Sequence, residues 1–220
     1  MLILAFDTSG PACTVALWRD GQVLAVGREL MERGQAEALM PMIAAIMGEA
    51  GITYAALDKI AVTVGPGSFT GVRAGLAAAR GLTLASKVPT VGILTSTALA
   101  AAVPPAERAG ADRILVAIDT KRGDLYVQQF LPDGSVLEAP VAMEPSALPA
   151  WIGAQHVVIV GDGARVAAEA LAERGVASSA GALVDVALLA TLGAAATPVP
   201  GGPAPVYVHP PAITPQKAKA

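Results

Sequence analysis

Two distant stretches of this chain repeat one pattern. Ile3-Leu4-Ala5-Phe6-Asp7-Thr8 is echoed by Leu115-Val116-Ala117-Ile118-Asp119-Thr120. Each is an apolar run that ends in Asp-Thr, then a turn, then a second apolar run. Six matching positions alone could arise by chance, but the same order of elements after them points to an internal duplication. The chain therefore reads as two related α/β halves, 1–104 and 105–220, joined near 100–112.

The rest of the chain fits this division. Leu2–Asp7, Cys13–Trp18 and Val23–Arg28 read as an antiparallel meander, with Asp20-Gly21 as a hairpin turn. A helix follows over 35–49, where Leu39, Met42, Ile43, Ile46 and Met47 recur at helical spacing. A strand at 60–64, a helix ending near Ser86, a strand at 88–94 and a short helix at 96–103 complete the first half. Pro104-Pro105 breaks that helix, and 107–112 reads as a polar link. In the second half, strands are expected at 124–130 and 156–160, with a helix at 165–173. The Pro-rich end, 197–220, is expected to lack order in its last part.

Between strand 60–64 and the next helix lies Gly65-Pro66-Gly67-Ser68-Phe69-Thr70-Gly71-Val72-Arg73. Strand, Gly-rich turn and helix is the layout of a phosphate loop. Here the glycines miss the dinucleotide spacing by one residue, and no Gly-Lys-Ser/Thr follows. The simpler reading is a tight turn with Ser68 as the helix N-cap. Gly71, Gly75 and Ala79 then form a small-residue stripe, widened by Ala74 and Ala78. Glycine in a helix costs roughly 0.8–1 kcal/mol relative to alanine, so the stripe implies close packing of another backbone. Arg73 and Arg80 share a face that could meet anions, acidic side chains or water.

Several chemistries are not offered. The net charge of −3 argues against tight nucleic-acid binding by bulk charge, though not against a local basic patch. The chain has two histidines, His156 and His209, neither near a second imidazole, and one cysteine, Cys13, in a strand-like run. Ser68 has no identifiable His–acid partner. No transition metal, covalent nucleophile or internal disulfide is expected. The stretch 186–200 is apolar but broken by Pro198 and Pro200, and reads as a soluble helix with a linker. The first residues lack a basic region and meet Asp7 early, unlike a signal peptide, so a cytoplasmic location is expected.

The nine residues 65–73, with Ala-Phe-Asp-Thr-Ser at 5–9 and Pro-Val-Tyr-Val at 205–208, resemble the TsaB family. The resemblance implies an actin-, Hsp70- and sugar-kinase-like fold: two related halves, each a mixed sheet with helices, the second reduced. It implies a non-catalytic dimerisation subunit that supports a metal-bearing paralogue, TsaD, in transferring threonylcarbamoyl to the adenosine beside a tRNA anticodon. Implied partners are TsaD, a small ATPase (TsaE), tRNA through the complex, and a second copy when the chain is alone; no membrane is implied. The paralogue's histidine pair has no counterpart here, and Gln35 stands where many family members keep one histidine.

Two expectations about sites follow. The partner surface is expected on the first two helices, at Leu39, Met42, Ile43, Ile46, Met47, Gly71, Val72, Gly75 and Ala79. The alternative is that these residues pack only on their own sheet. A vestigial nucleotide or phosphate site is expected at Asp7, Thr8, Ser9, Asp119, Gly161 and Gly163. There the carboxylates could hold a magnesium through water, or merely cap strand ends and bind turn amides. No resident cofactor is expected, beyond weak adenine-nucleotide binding at a subunit interface. The runner-up function is a free-standing sugar-kinase-like phosphotransferase.

Overall fold

The computed structural model describes residues 1–209; the last part of the Pro-rich end, 210–220, lies outside the described residues. Its strands form two five-stranded sheets of one topology. The first contains β1 (Leu2–Asp7), β2 (Ala12–Arg19), β3 (Gln22–Leu30), β4 (Lys59–Thr63) and β5 (Thr90–Ile93), in the order β3-β2-β1-β4-β5. The second contains β6 (Arg113–Asp119), β7 (Leu125–Phe130), β8 (Val141–Met143), β9 (Val157–Val160) and β10 (Gly175–Ala177), in the order β10-β9-β6-β7-β8. In each, an antiparallel meander is extended by two parallel strands. The Asp20-Gly21 turn holds both residues at positive φ (49° and 94°), as the right-handed twist of β2 and β3 requires.

The helices are α1 (Gln35–Glu49), α2 (Phe69–Ser86), α3 (Thr95–Ala102), α4 (Pro105–Ala109), α5 (Leu148–Ile152), α6 (Ala164–Leu171) and α7 (Val186–Ala195). The second half is reduced: β8 and β10 have three residues each, and α5 has five where α1 has fifteen. The polar link expected at 107–112 is partly helical. Pro105 starts α4, where its missing N–H is harmless, and Arg108 donates to the carbonyls of Ala100, Ala101 and Val103 at the end of α3. The strands β8 and β10 and helix α5 carried too little periodicity to be read.

Strand β1 is buried throughout, because both faces of its sheet are covered. Leu2, Leu4 and Phe6 join the core beneath α1 and α2, whereas Ile3 and Ala5 join a second core. That second core contains residues of both sheets: Ile114, Val116, Ile118 and Phe130 pack in it with α3 and α7. The two central helices are exchanged. Helix α3, from the first half, contacts β6, and α7, from the second, contacts β1, β2 and β4. The sheets thus divide between Ile93 and Arg113, but the core between them is shared. The apolar stretch at 186–200 becomes α7, whose Gly193 lies so close to β4 that a Cβ there would meet Ala61 Cβ at 2.6 Å. Among the described residues no helix is long and apolar enough to cross a membrane.

Lys59 ties α7 to the first sheet. Its ammonium donates to the carbonyls of Gly193, Ala194 and Ala196 at 3.3, 2.9 and 2.7 Å. These are carbonyls a helix C-terminus leaves without partners, at its negative dipole end. Lys59→Met keeps the stem and removes the charge. It is expected to lower unfolding stability by about 1.5–3 kcal/mol, the range for hydrogen bonds to a charged group. A urea midpoint equal to that of the unaltered protein would show that these bonds carry no net stability.

Candidate functional site

The two Asp-Thr strand ends meet at the cleft between the sheets, and their local geometry is the same. Asp7 Oδ1 accepts the Ser9 N–H at 2.9 Å, and Asp119 Oδ1 accepts the Lys121 N–H at 2.7 Å. Each carboxylate thus binds the amide two residues on, which makes the turn after its strand.

Their surroundings differ. Asp7 is buried, and its Oδ1 also accepts from Ser9 Oγ at 2.5 Å and Thr63 Oγ1 at 2.6 Å. Thr95 Oγ1 donates to Ser9 Oγ at 3.1 Å and extends the network. Burial pushes the Asp7 carboxyl above its ordinary value, against the pull of these hydrogen bonds. Asp119 stays partly exposed. Partial burial would raise its carboxyl, but the amide and ammonium of Lys121 together hold it low. Lys121 Nζ sits 3.0 Å from Asp119 Oδ2 and 3.9 Å from Asp162 Oδ2. Asp162, raised chiefly by burial, accepts the Asp119 N–H at 2.8 Å.

The two strand-end carboxylates do not line one cavity. Asp7 borders a space of about 20 Å³, whereas Asp119 and Lys121 border one of about 270 Å³ with Gln35 and Ser68; Asp162 lines both. Thr8 and Ser9 are tied to the Gly-rich turn. Thr8 Oγ1 donates to the Gly71 carbonyl at 2.7 Å, and the Ser68 N–H donates to the Ser9 carbonyl at 2.7 Å. Gly161 and Gly163, expected in the vestigial nucleotide site, pack on β6: a Cβ there would lie 2.2 and 3.1 Å from the Ala117 carbonyl oxygen. Gln35 is buried, and its amide donates to the carbonyls of Gly10 and Met31 at 3.3 and 3.1 Å. Among the described residues no three His, Cys, Asp or Glu side chains cluster as a metal site would need.

The turn at 65–73 is built as the simpler reading has it. Ser68 caps α2, accepting the Gly71 N–H at 3.2 Å. The small-residue stripe, however, faces inward. A Cβ on Gly71 would lie 1.8 Å from the Thr8 carbonyl oxygen, and one on Gly75 would lie 2.8 Å from Thr8 Oγ1. The backbone brought close to α2 is therefore that of β1's own end. Leu39, Ile43, Ile46, Met47, Val72 and Ala79 are likewise buried in the core under α1 and α2, and Met42 is half-buried over Gly27 of β3. These residues cover the chain's own sheet. What α1 and α2 present outward is a different face: Met40, Pro41, Ala44, Ala45 and Gly48 on α1, and Ala77, Gly81, Leu84 and Ala85 on α2. Leu84 is 74% exposed, and a Cβ on Gly81 would touch nothing within 4 Å.

Sequence reasoning missed a second part of the cleft. The segment at 203–209 returns to the first sheet, where the Val206 N–H donates to the Val64 carbonyl at 2.7 Å. It brings Tyr207 and His209 to a cavity of about 240 Å³, beside Phe69 of α2 and Tyr126 of β7. His209 Nε2 lies 2.7 Å from Asp124 Oδ2, which ties the segment to the second half. Pro-Val-Tyr-Val is visible in the sequence, but nothing local shows what its tyrosine meets.

The chain matches the family model described as TsaD: tRNA N6-adenosine threonylcarbamoyltransferase over residues 27–187. It is 40% identical to the tRNA threonylcarbamoyladenosine biosynthesis protein TsaB of Escherichia coli (strain K12), over 60% of this chain and 56% of that relative. The match thus spans little more than half the length of that curated relative. The solved structure of YeaZ from Pseudomonas aeruginosa is 31% identical, covers 94% of this chain and 99% of its own, and superposes with a TM-score of 0.77. An inorganic polyphosphate/ATP-glucomannokinase from Arthrobacter sp. strain KM covers 88% of this chain and 98% of its own, at 11% identity and a TM-score of 0.51. It shares the fold alone.

Proposed function

We propose that this chain, which belongs to the TsaB family, is a non-catalytic subunit of a tRNA threonylcarbamoyladenosine-forming complex, pairing with a TsaD-like, metal-bearing paralogue. One observation carries the reading. Adjacent helices α1 and α2 turn a face of Met40, Ala44, Ala45, Gly48, Ala77, Gly81 and Leu84 to solvent. The face is apolar at these positions, with Glu37, Arg73 and Arg80 exposed beside them, and its small residues let a second helix pair approach closely. A paralogue sharing this fold carries a matching pair, and the four helices would pack as a bundle.

The cleft supports a subunit without chemistry of its own. Asp7 is held by three donors and borders a space fit for little more than one water. Lys121 already supplies a cation to Asp119 and Asp162. Gly161 and Gly163 are closed by Ala117. These residues do not fit a magnesium nucleotide of the kind the wider superfamily implies, and no step is routed through one. In this reading a small ATPase and tRNA are partners of the assembled complex rather than of this chain alone.

The test is pairing. Leu84→Asp places a charge on the outer face, and Ala45→Arg does so on α1. Each is expected to leave the melting temperature of the isolated chain within about 2 °C, because exposed substitutions stay within about ±0.5 kcal/mol. Each is expected to weaken co-purification with the TsaD-like paralogue from the same host at least 100-fold. Wild-type pairing by both variants would refute this surface, and failure of the unaltered chain to pair would refute the function.

A further inference from the structure

Three Phe, three Tyr and two Trp are all the large aromatic residues of the chain. Two of them, Phe69 and Tyr207, are 43% and 37% exposed, and their rings stand 5.3 Å apart at the mouth of the cleft. Tyr126 lines the same cavity from the second half, its ring 5.3 Å from His209. Exposed aromatic rings gathered at one concave site, in a chain so poor in them, mark a place for a flat ligand.

The platform is held rigid before any ligand arrives. The Arg73 guanidinium lies 3.7 Å over the Phe69 ring, and its Nε donates to Tyr207 Oη at 2.8 Å. One cation thereby fixes both rings, from α2 and from the end of the described chain. No carboxylate lines the 240 Å³ cavity, and Arg122 does. Among the described residues neither Arg73 nor Arg122 forms an ion pair. A cationic ligand is thus disfavoured, and an anionic one is drawn in. At about 240 Å³ the space falls below the roughly 300–1,000 Å³ of pockets for whole drug-sized ligands, which suits a single ring system. The neighbouring 270 Å³ cavity shares Gly67, Phe69, Arg122 and Tyr126 with it but is also lined by Glu32, Asp119 and Asp162, so a phosphate attached to that ring is favoured only at the shared boundary, beside Arg122.

From this geometry we infer that the cavity binds one unstacked nucleotide, its base against Tyr207, Phe69 and Tyr126 and its phosphate toward Arg122. Stacking on exposed aromatic rings beside cationic groups is how single-stranded nucleic acid is held without sequence readout. The net charge of −3 does not oppose this, because the attraction is local. None of the residues lining the cavity is among those named for pairing on the outer face of α1 and α2.

The unaltered chain is titrated by fluorescence polarisation with a labelled octamer of single-stranded RNA, and by calorimetry with AMP in magnesium-free buffer. Saturable binding of the octamer that AMP does not compete identifies an RNA strand as the source, and saturable AMP binding identifies a free nucleotide. In either case Tyr207→Ala is expected to weaken binding at least tenfold and Tyr207→Phe less than threefold, since stacking survives without the hydroxyl. Arg122→Gln is expected to weaken binding and to flatten its dependence on salt, by about one phosphate contact in the log–log slope. Melting temperatures check that each variant is folded. Absence of binding by both probes overturns the inference, as does equal binding by folded Tyr207→Ala. Co-purification with the paralogue reads the proposed function separately and is expected to be unchanged in Tyr207→Ala.

Discussion

Gly71→Ala is expected to destabilise the isolated chain by at least about 3 kcal/mol, the upper end for an overpacked interior. The added methyl would lie 1.8 Å from the Thr8 carbonyl oxygen, which is backbone and has no rotamer to escape into. Thr8 Oγ1 in turn donates to the Gly71 carbonyl, so any retreat of α2 from β1 also stretches that bond. At roughly 2–4 °C per kcal/mol for a chain of this size, the melting temperature falls by about 6–12 °C. Gly75→Leu acts in the same direction, because its Cβ alone would come within 2.8 Å of Thr8 Oγ1 and 3.3 Å of Val62 Cγ2. Gly81→Ala is the control: with open space at its Cβ and a better helix former in place of glycine, it is expected to gain about 0.5–1 kcal/mol. A folded Gly71→Ala variant of unchanged melting temperature would mean that α2 does not rest on the end of β1.

The second large effect separates two substitutions at one carboxylate. Asp7→Ala leaves the Ser9 amide, the Ser9 hydroxyl and the Thr63 hydroxyl without their acceptor in a buried site. An unsatisfied buried group costs roughly 1–3 kcal/mol; the hydroxyls can turn elsewhere and the amide cannot, so the total is about 2–4 kcal/mol. Asp7→Asn keeps an acceptor oxygen for all three and removes the charge that burial disfavours, so at neutral pH it is expected to match or exceed the unaltered protein. The pH dependence has a defined sign. The carboxyl is raised in the folded protein above its ordinary 3.8, so the folded state holds the proton more tightly than the unfolded state does. Its contribution is complete below 3.8 and is lost as pH rises through the folded value. Denaturation midpoints measured from acid to neutral pH should therefore show the unaltered protein falling relative to Asp7→Asn, then levelling off. A gap that moves the other way would mean that the hydrogen bonds from Ser9 and Thr63 outweigh burial and hold Asp7 charged in the fold.

Both results bear on which parts of the chain could be read locally. Helix α1 shows the difficulty. Its apolar residues run nearly all round: Leu39, Ile43, Ile46 and Met47 inside, Met40, Ala44 and Ala45 outside. Periodicity finds the helix but not which stripe goes in. The choice follows from area: larger side chains bury more apolar surface, at roughly 25 cal/mol per Å², so the sheet takes them and the small residues are left for solvent or a partner. Size separates Ala44 and Ala45 from Leu39, Ile43 and Ile46, but not Met40 from Met47. On α2 the glycines misled in another way. They do mark a close approach, but the nearest backbone belongs to the strand end that the Gly-rich turn wraps.

The amino-acid sequence by itself determined the two halves, the repeated strand–turn–strand that opens each, the hairpin at Asp20-Gly21, the cap at Ser68 and the membership of a family. Each of these rests on spacing or turn chemistry within a few residues, or on similarity along the chain. Tertiary structure alone decided that α3 and α7 change places between the halves. It also decided that Lys121 stands between Asp119 and Asp162, and that Tyr207 reaches Phe69 and Arg73. The physical reason is that burial and hydrogen bonding reward whatever groups come close, however far apart they lie in sequence. Asp7 and Asp119 end similar strands and make the same local turn, but their protonation is set by surroundings the strands do not encode: burial of Asp7, which the hydrogen bonds from Ser9 and Thr63 only partly oppose, and partial exposure of Asp119 beside the amide and ammonium of Lys121.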